Sequence, residues 1–285
     1  MQEQLLVNPV NVFEKKLPTS RGFLGALVCE PESIHAGTIV FVPGFSGSRE
    51  DFVAMLPELA KLGWHSFAID QLGQPSSFGP TDESAFSIDL FAQDLIDIAN
   101  SFPEPIHVVG HSFGGLVSSV AATKSTQSFA SITLMCSGPG PMPKEKWGAL
   151  PRLVEATTKY KMSTIWALKT IFEKLSGYRK FSRKVRVWRR NRWNNTNPLS
   201  IKVMATLLMH IHPVAQEFQK TLSVNRIPIL VLSGAHDDIW PLSQQKEMAQ
   251  TLNGTYVEIA GAGHSPAREE PLETVLALDK FLKAI

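Results

Sequence analysis

From residue 37 onward, short apolar runs rich in β-branched residues alternate with longer segments of helical period. The runs at residues 38–42, 66–69, 106–109, 131–135, 227–232 and 256–259 are brief and bounded by turn formers, which predicts buried strands. Between them, residues 49–62, 88–101, 114–124, 243–252 and 271–284 place apolar side chains at helical spacing. Ser48 followed by Asp51 resembles a capping box at the head of the first of these helices. Strands alternating with helices of this length imply βαβ units, so the predicted class is α/β with a mostly parallel sheet.

Two stretches depart from the alternation. Residues 10–17 and 23–29 read as a β-hairpin at one sheet edge, connected through residues 19–22. After residue 137 the pattern stops, and an arginine- and tryptophan-rich segment of helices takes its place. Pro139, Pro141 and Pro143 mark where it begins, and Pro228 marks the return to the core. The expected organisation is a core of residues 1–137 and 222–285, with residues 138–221 inserted as a helical cap.

Composition narrows the class. A chain of 285 residues that is 44% hydrophobic, 19% charged and of net charge +2 can bury a large core and fits no disordered or collagen-like class. The first ten residues lack a basic segment followed by a long apolar one, so no signal peptide is expected. No run approaches the roughly 18 to 20 apolar residues that a spanning helix needs. Cys29 and Cys136 form neither a disulfide framework nor a metal-ligand spacing, which makes a reducing cytoplasm the expected location.

The candidate chemistry begins at residues 106–115, where an apolar strand runs into Gly110-His111-Ser112-Phe113-Gly114-Gly115 and then into a helix of small residues. A nucleophilic serine needs a sharp strand-to-helix turn that exposes its hydroxyl, and side chains two residues to either side would collide there. Gly110 and Gly114 remove those side chains, and the Phe113 amide at the helix N-terminus is aimed where an oxyanion would form. A serine hydroxyl is a weak nucleophile at neutral pH, so a histidine must take its proton and a third group must hold that histidine. His264 lies in Gly261-Ala262-Gly263-His264-Ser265-Pro266, a loop after the last strand, where a base belongs. His111 flanks the serine and is expected to shape the turn; His35, His65, His107, His210, His212 and His236 lack such placement. After strand 227–232 come adjacent acids, of which Asp237 is the expected orienting carboxylate and Asp238 competes as a cap of the turn. The second oxyanion donor is assigned to the Phe45 amide, in Pro43-Gly44-Phe45-Ser46-Gly47 after the first core strand.

Taken together, GHSFGG at 110–115, GAHDDIWP at 234–241 and GAGHSPAREEP at 261–271 resemble the α/β-hydrolase superfamily, in family order. The resemblance covers roughly residues 37–137 and 227–285 and leaves the inserted segment uncovered. It implies Ser112 as nucleophile, Asp237 as acid, His264 as base, and the amides of Phe45 and Phe113 as the oxyanion hole. Two departures bear on the branch: Pro43-Gly44 stands where many members have His-Gly, and the loop from Asp70 to Pro75 lacks the usual arginine and second glycine. A serine nucleophile also sets the chain apart from epoxide hydrolases and haloalkane dehalogenases, which use aspartate.

The expected activity is hydrolysis of a carboxylic ester, lactone or thioester through an acyl-serine intermediate, with a small-molecule substrate and no metal or organic cofactor. Carbon–carbon bond hydrolysis by the same triad is the alternative, and a ligand receptor that retains a triad is the rival from outside enzymology. Residues 179–192 carry eight basic residues and no acid. They form either a solvated helix face, with Trp188 and Trp193 packing the cap onto the core, or a surface attracting an anionic substrate or an anionic membrane contacted peripherally. No base-reading motif accompanies them, so nucleic acid is not an expected partner.

Overall fold

The computed structural model describes residues 8–32, 35–175, 181–224 and 226–285. The strands are β1 (Val12–Thr19), β2 (Gly22–Cys29), β3 (Gly37–Val42), β4 (Trp64–Ile69), β5 (Ile106–His111), β6 (Phe129–Met135), β7 (Ile229–Gly234) and β8 (Thr255–Ile259). They form one sheet in the order β1-β2-β4-β3-β5-β6-β7-β8. The hairpin β1–β2 and the β2–β4 pair are antiparallel, whereas every pair from β4 to β8 is parallel. Crossovers between parallel strands run through α1 (Leu56–Lys61), α2 (Ile88–Ala99), α3 (Phe113–Lys124), then α4 (Leu150–Lys159), α5 (Met162–Leu175), α6 (Arg183–Asn195), α7 (Pro198–His210) and α8 (Val214–Val224), and finally α9 (Leu242–Thr251). Two helices follow β8, α10 (Pro266–Glu269) and α11 (Pro271–Leu282). The architecture is the expected one: a mostly parallel sheet flanked by helices.

Residue alternation along the central strands fills both faces of the sheet. Val40, Val42 and Val108 join Leu116 and Val117 of α3 in one core, while Ile39, Phe41 and Val109 join Leu56 of α1 and Leu278 of α11 in the other. Strands buried on both sides explain why these segments read as continuous apolar runs. The helix expected over residues 49–62 is broken into a single 3₁₀ turn at Arg49–Phe52 and the short α1. The capping box holds: the Asp51 carboxylate accepts the Ser48 N–H at 3.1 Å. The turn of α10 has too few residues to show periodicity and was not predicted.

Among the described residues, the α-helices α4–α8 occupy the stretch between β6 and β7. Met162, Ile165, Trp193 and Ile201 build a small core of their own, and the Trp193 indole N–H donates to the Met162 carbonyl at 3.0 Å. α8 lies against α3 with Phe218 fully buried in the main core, so residue 221 falls within a helix seated on the sheet layer. Arg179 and Lys180 of the basic run lie outside the described residues. No helix among the described residues is long and apolar enough to cross a membrane.

Candidate active site

Parallel strands side by side bring their carboxyl ends together, and here the ends of β3, β5, β6, β7 and β8 meet over the middle of the sheet. Ser112 follows β5 directly and takes φ 55° and ψ −118°, a conformation an L-residue keeps only when its surroundings hold it. Three bonds do so: Ser112 N–H donates to the Met135 carbonyl at 2.9 Å, and the Ser112 carbonyl accepts from Gly115 N–H at 2.9 Å and from the Ser137 hydroxyl at 2.8 Å. A Cβ at Gly110 would meet the Gly114 carbonyl and Ser118 Oγ, and one at Gly114 would meet the carbonyls of Val42 and Pro43. The turn can therefore close only with glycine at both positions.

His264 reaches this serine from the loop after β8. Its Nε2 lies 3.1 Å from Ser112 Oγ and its Nδ1 lies 2.8 Å from Asp237 Oδ1. Asp237 also accepts the Ile239 N–H at 3.0 Å and the Gln245 side-chain amide at 2.9 Å. Burial pushes the Asp237 carboxyl up, but the bond to His264, its charge and the two amide donors outweigh it and hold the group below the ordinary carboxylate range. An ionised Asp237 assigns the proton to Nδ1 and leaves Nε2 free to accept from the serine. The Asp237 side chain is fully buried, whereas Asp238 is exposed. Tertiary packing thus separates two acids that are neighbours in sequence.

The Phe113 and Phe45 amides meet no acceptor among the described residues. Gly44 brings its backbone against the serine; a Cβ there would stand 2.9 Å from Ser112 Cβ. The Gly44 carbonyl accepts from Gly47 N–H at 3.0 Å and from the Gln74 side chain at 3.0 Å. In a trans peptide the N–H points opposite to the C=O, so holding the Gly44 carbonyl also aims the Phe45 N–H. Neither Gln74 nor Gln245 is marked by the sequence for this contact, because each bonds through an ordinary side-chain amide to a partner that the fold supplies.

His111 is one of the groups that hold the loop of His264: its Nε2 donates to the His264 carbonyl at 2.7 Å. Burial first, then His264, holds the His111 imidazole down at about 4, and burial does the same to His107, whose Nδ1 lies 2.8 Å from Ser131 Oγ. In the unfolded chain both rings take a proton near pH 6.5, whereas the folded protein resists it to about pH 4. Their contribution to stability is therefore complete above about pH 6.5 and is lost as pH falls toward 4. Thermal melts across this window are expected to show a falling Tm, with a shallower fall in His107→Gln. Parallel slopes for the two proteins would contradict this.

Cys136, Asp237 and His264 place ligand-type atoms within 4.8 Å of one another. The donor set does not suit a metal ion. Burial and the Asp237 charge push the Cys136 thiol well above its ordinary value, so it stays protonated, and Nδ1 and Oδ1 already bond each other.

An eight-stranded, mostly parallel sheet with a serine on a strained turn between β5 and α3 defines an α/β hydrolase. The family described as alpha/beta hydrolase fold matches residues 37–271, and the chain belongs to it. It is similar to the abhydrolase domain-containing protein lid-1 of Caenorhabditis elegans, at 26% identity over a match 145 residues long that covers 48% of this chain and 36% of that protein. Among solved structures it resembles a carboxylesterase from the thaumarchaeon Nitrososphaera gargenis, with TM-score 0.75, 17% identity and coverage of 95% and 98% of the two chains. It also resembles a thermophilic esterase from Thermogutta terrifontis, with TM-score 0.73, 20% identity and coverage of 95% and 98%.

Proposed function

We propose that the protein hydrolyses a carboxylic ester, lactone or thioester through an acyl-Ser112 intermediate. The observation that carries this is the unbroken line from Asp237 through His264 to Ser112 Oγ, beside two amides without acceptors among the described residues. Ser112 Oγ attacks the carbonyl carbon while His264 Nε2 takes its proton, and the carbonyl oxygen becomes an oxyanion held by the Phe45 and Phe113 N–H groups. Collapse expels the alkoxide or thiolate, which receives the proton from His264. Water, deprotonated by the same Nε2, then attacks the acyl-serine; collapse breaks the Ser112 ester bond, His264 returns the proton to Ser112 Oγ, and the acid leaves. On this reading residues 138–221 cover the site as a cap, with α8 serving as its seat on the core. A panel of p-nitrophenyl esters of increasing chain length, run beside a vinylogous diketone, tests the assignment. Turnover of the diketone alone would replace it with carbon–carbon bond hydrolysis.

The cap also bears on substrate choice. Arg183, Lys184, Arg186 and Arg190 are exposed on α6, and the adjoining α5 exposes the apolar Leu168, Ile171 and Phe172. We infer that these four cations raise the encounter rate of an anionic substrate, free or presented at an anionic membrane surface. Changing all four to glutamine is expected to lower kcat/KM several-fold for a carboxylate-bearing ester and to spare a neutral ester of similar size. The effect should fade as the screening length shrinks from about 10 Å at 0.1 M salt to about 3 Å at 1 M. Equal losses on both esters at all ionic strengths would reduce the segment to a solvated helix face.

A further inference from the structure

Among the described members of the basic run, Arg192 turns toward the core. Arg192, near the end of α6, directs its guanidinium into the loop that carries Phe45. One terminal nitrogen donates to the Ser46 carbonyl at 3.2 Å, and the other to Ser48 Oγ at 3.0 Å and Asp51 Oδ1 at 3.1 Å. The guanidinium lies 4.8 Å from the centre of the Trp188 ring, one turn earlier on the helix. The neighbouring Trp193 belongs to the small core of Met162, Ile165 and Ile201, and the Phe45 side chain packs against that same core. The Phe45 side chain thus packs against the small core that Trp193 of α6 helps to build, and Arg192 of α6 holds the backbone one residue later.

The peptide units of this loop are in series. The Ser46 carbonyl that accepts from Arg192 shares its peptide with the Gly47 N–H, which donates to the Gly44 carbonyl at 3.0 Å. The Gly44 carbonyl in turn shares its peptide with the Phe45 N–H. A cation thus stands at one end of two aligned peptide groups and an open N–H at the other, an arrangement in which each bond polarises and orients the next. Ser46 adopts φ 53°, so the turn depends on its contacts to persist. On the core side, Asp51 is shared with Arg268 of α10, at 3.7 Å. Burial opposes ionisation of Asp51, but Arg192 and Arg268 outweigh it and hold the carboxyl below its ordinary range.

We propose that Arg192 is a positioning residue for the oxyanion hole, so that the Phe45 N–H is correctly aimed only when α6 is seated on the core. The inserted helices then complete the catalytic apparatus as well as covering it. This rests on the assignment of Ser112 and the Phe45 amide given above.

The test uses the full-length protein and a neutral ester, with kcat, KM, Tm and affinity for a trifluoromethyl ketone that forms a tetrahedral adduct on the serine. Arg192→Gln is expected to lower kcat by about 10- to 100-fold, short of the 10²–10³ lost when an oxyanion donor is deleted. KM should stay within about twofold, and ketone affinity should fall in step with kcat/KM. Arg192→Lys keeps the charge but cannot reach three acceptors at once, and it should lie in between. Arg152→Gln, which removes an exposed cation from α4, should match the unaltered protein. Should Arg192→Gln fail to fold, Arg192→Lys decides, and wild-type kcat there overturns the proposal. So does a loss confined to KM, or a kcat loss with ketone affinity unchanged. Absence of any ester turnover by the unaltered protein would instead overturn the parent assignment, and this proposal with it.

Discussion

Ser112→Ala is expected to fold as the unaltered protein does and to lose turnover by about 10⁶-fold, the loss seen when a serine nucleophile is removed from a working triad. The fold should survive because the turn at Ser112 is held by main-chain groups and the Ser137 hydroxyl, none of which involves Oγ. The hydroxyl itself bonds His264, a contact that one water can replace. A fluorophosphonate probe should label the unaltered protein once, at Ser112, and the variant not at all. Residual activity should remain above the uncatalysed rate, since the two amides and the binding site persist. Labelling at another residue, or a variant that keeps its turnover, would remove Ser112 from the mechanism.

Asp237→Asn is expected to lower kcat by about 10⁴-fold, while Asp238→Asn changes it by less than about threefold. An asparagine fits the same space and, with its oxygen in the place of Oδ2, still accepts from the Gln245 side-chain amide, so packing is conserved. Its amide can face His264 Nδ1 as a donor, which moves the ring proton to Nε2 and leaves that nitrogen unable to take the Ser112 proton. It also removes the negative charge that stabilises the imidazolium formed during attack. Gln245 makes the consequence sharper: its side-chain amide donates to Asp237 Oδ2 and to the Trp240 carbonyl at 3.1 Å, and its carbonyl accepts from Ser233 Oγ at 2.6 Å. The acid is thereby presented to His264 in one orientation. Single-turnover and steady-state rates for the two variants separate the acids, and a large loss in Asp238→Asn with a small one in Asp237→Asn would exchange their roles.

How far these residues could be recognised beforehand follows from how each acts. Ser112, His264 and Asp237 sit at the carboxyl ends of β5, β8 and β7, where strand-to-loop transitions are marked by glycine and by the end of an apolar run. Gly110 and Gly114 are legible for the same reason, because a sterically tight turn leaves a local requirement on residue type. Gln74, Gln245 and Arg192 carry no such mark. Each binds a group more than a few residues away through an ordinary polar side chain, and only the folded chain specifies the partner. The break in the expected helix at residues 53–55 is similar: the apolar spacing continues through it, but packing of Phe52, Met55 and Leu56 against β3 and β4 sets the path.

The basic run shows the division most clearly. As a string of residues it is one feature, eight cations without an acid. In the folded chain its described members separate into exposed groups on α6, an Arg189 stacked on Phe181 at 4.1 Å, and an Arg192 turned inward onto Asp51. Charge and period along the chain determined that a helix forms there and that most of it faces water. They could not determine which cation meets a buried carboxylate, because Asp51 and Arg192 are 141 residues apart and their pairing depends on how the inserted helices settle on the sheet. Local sterics and hydrophobic period are properties of neighbouring residues and are therefore written in the sequence. The burial of the Asp237 side chain beside an exposed Asp238, and the contact of Arg192 with the loop of Phe45, are properties of packing between separate segments, and the tertiary structure alone decides them.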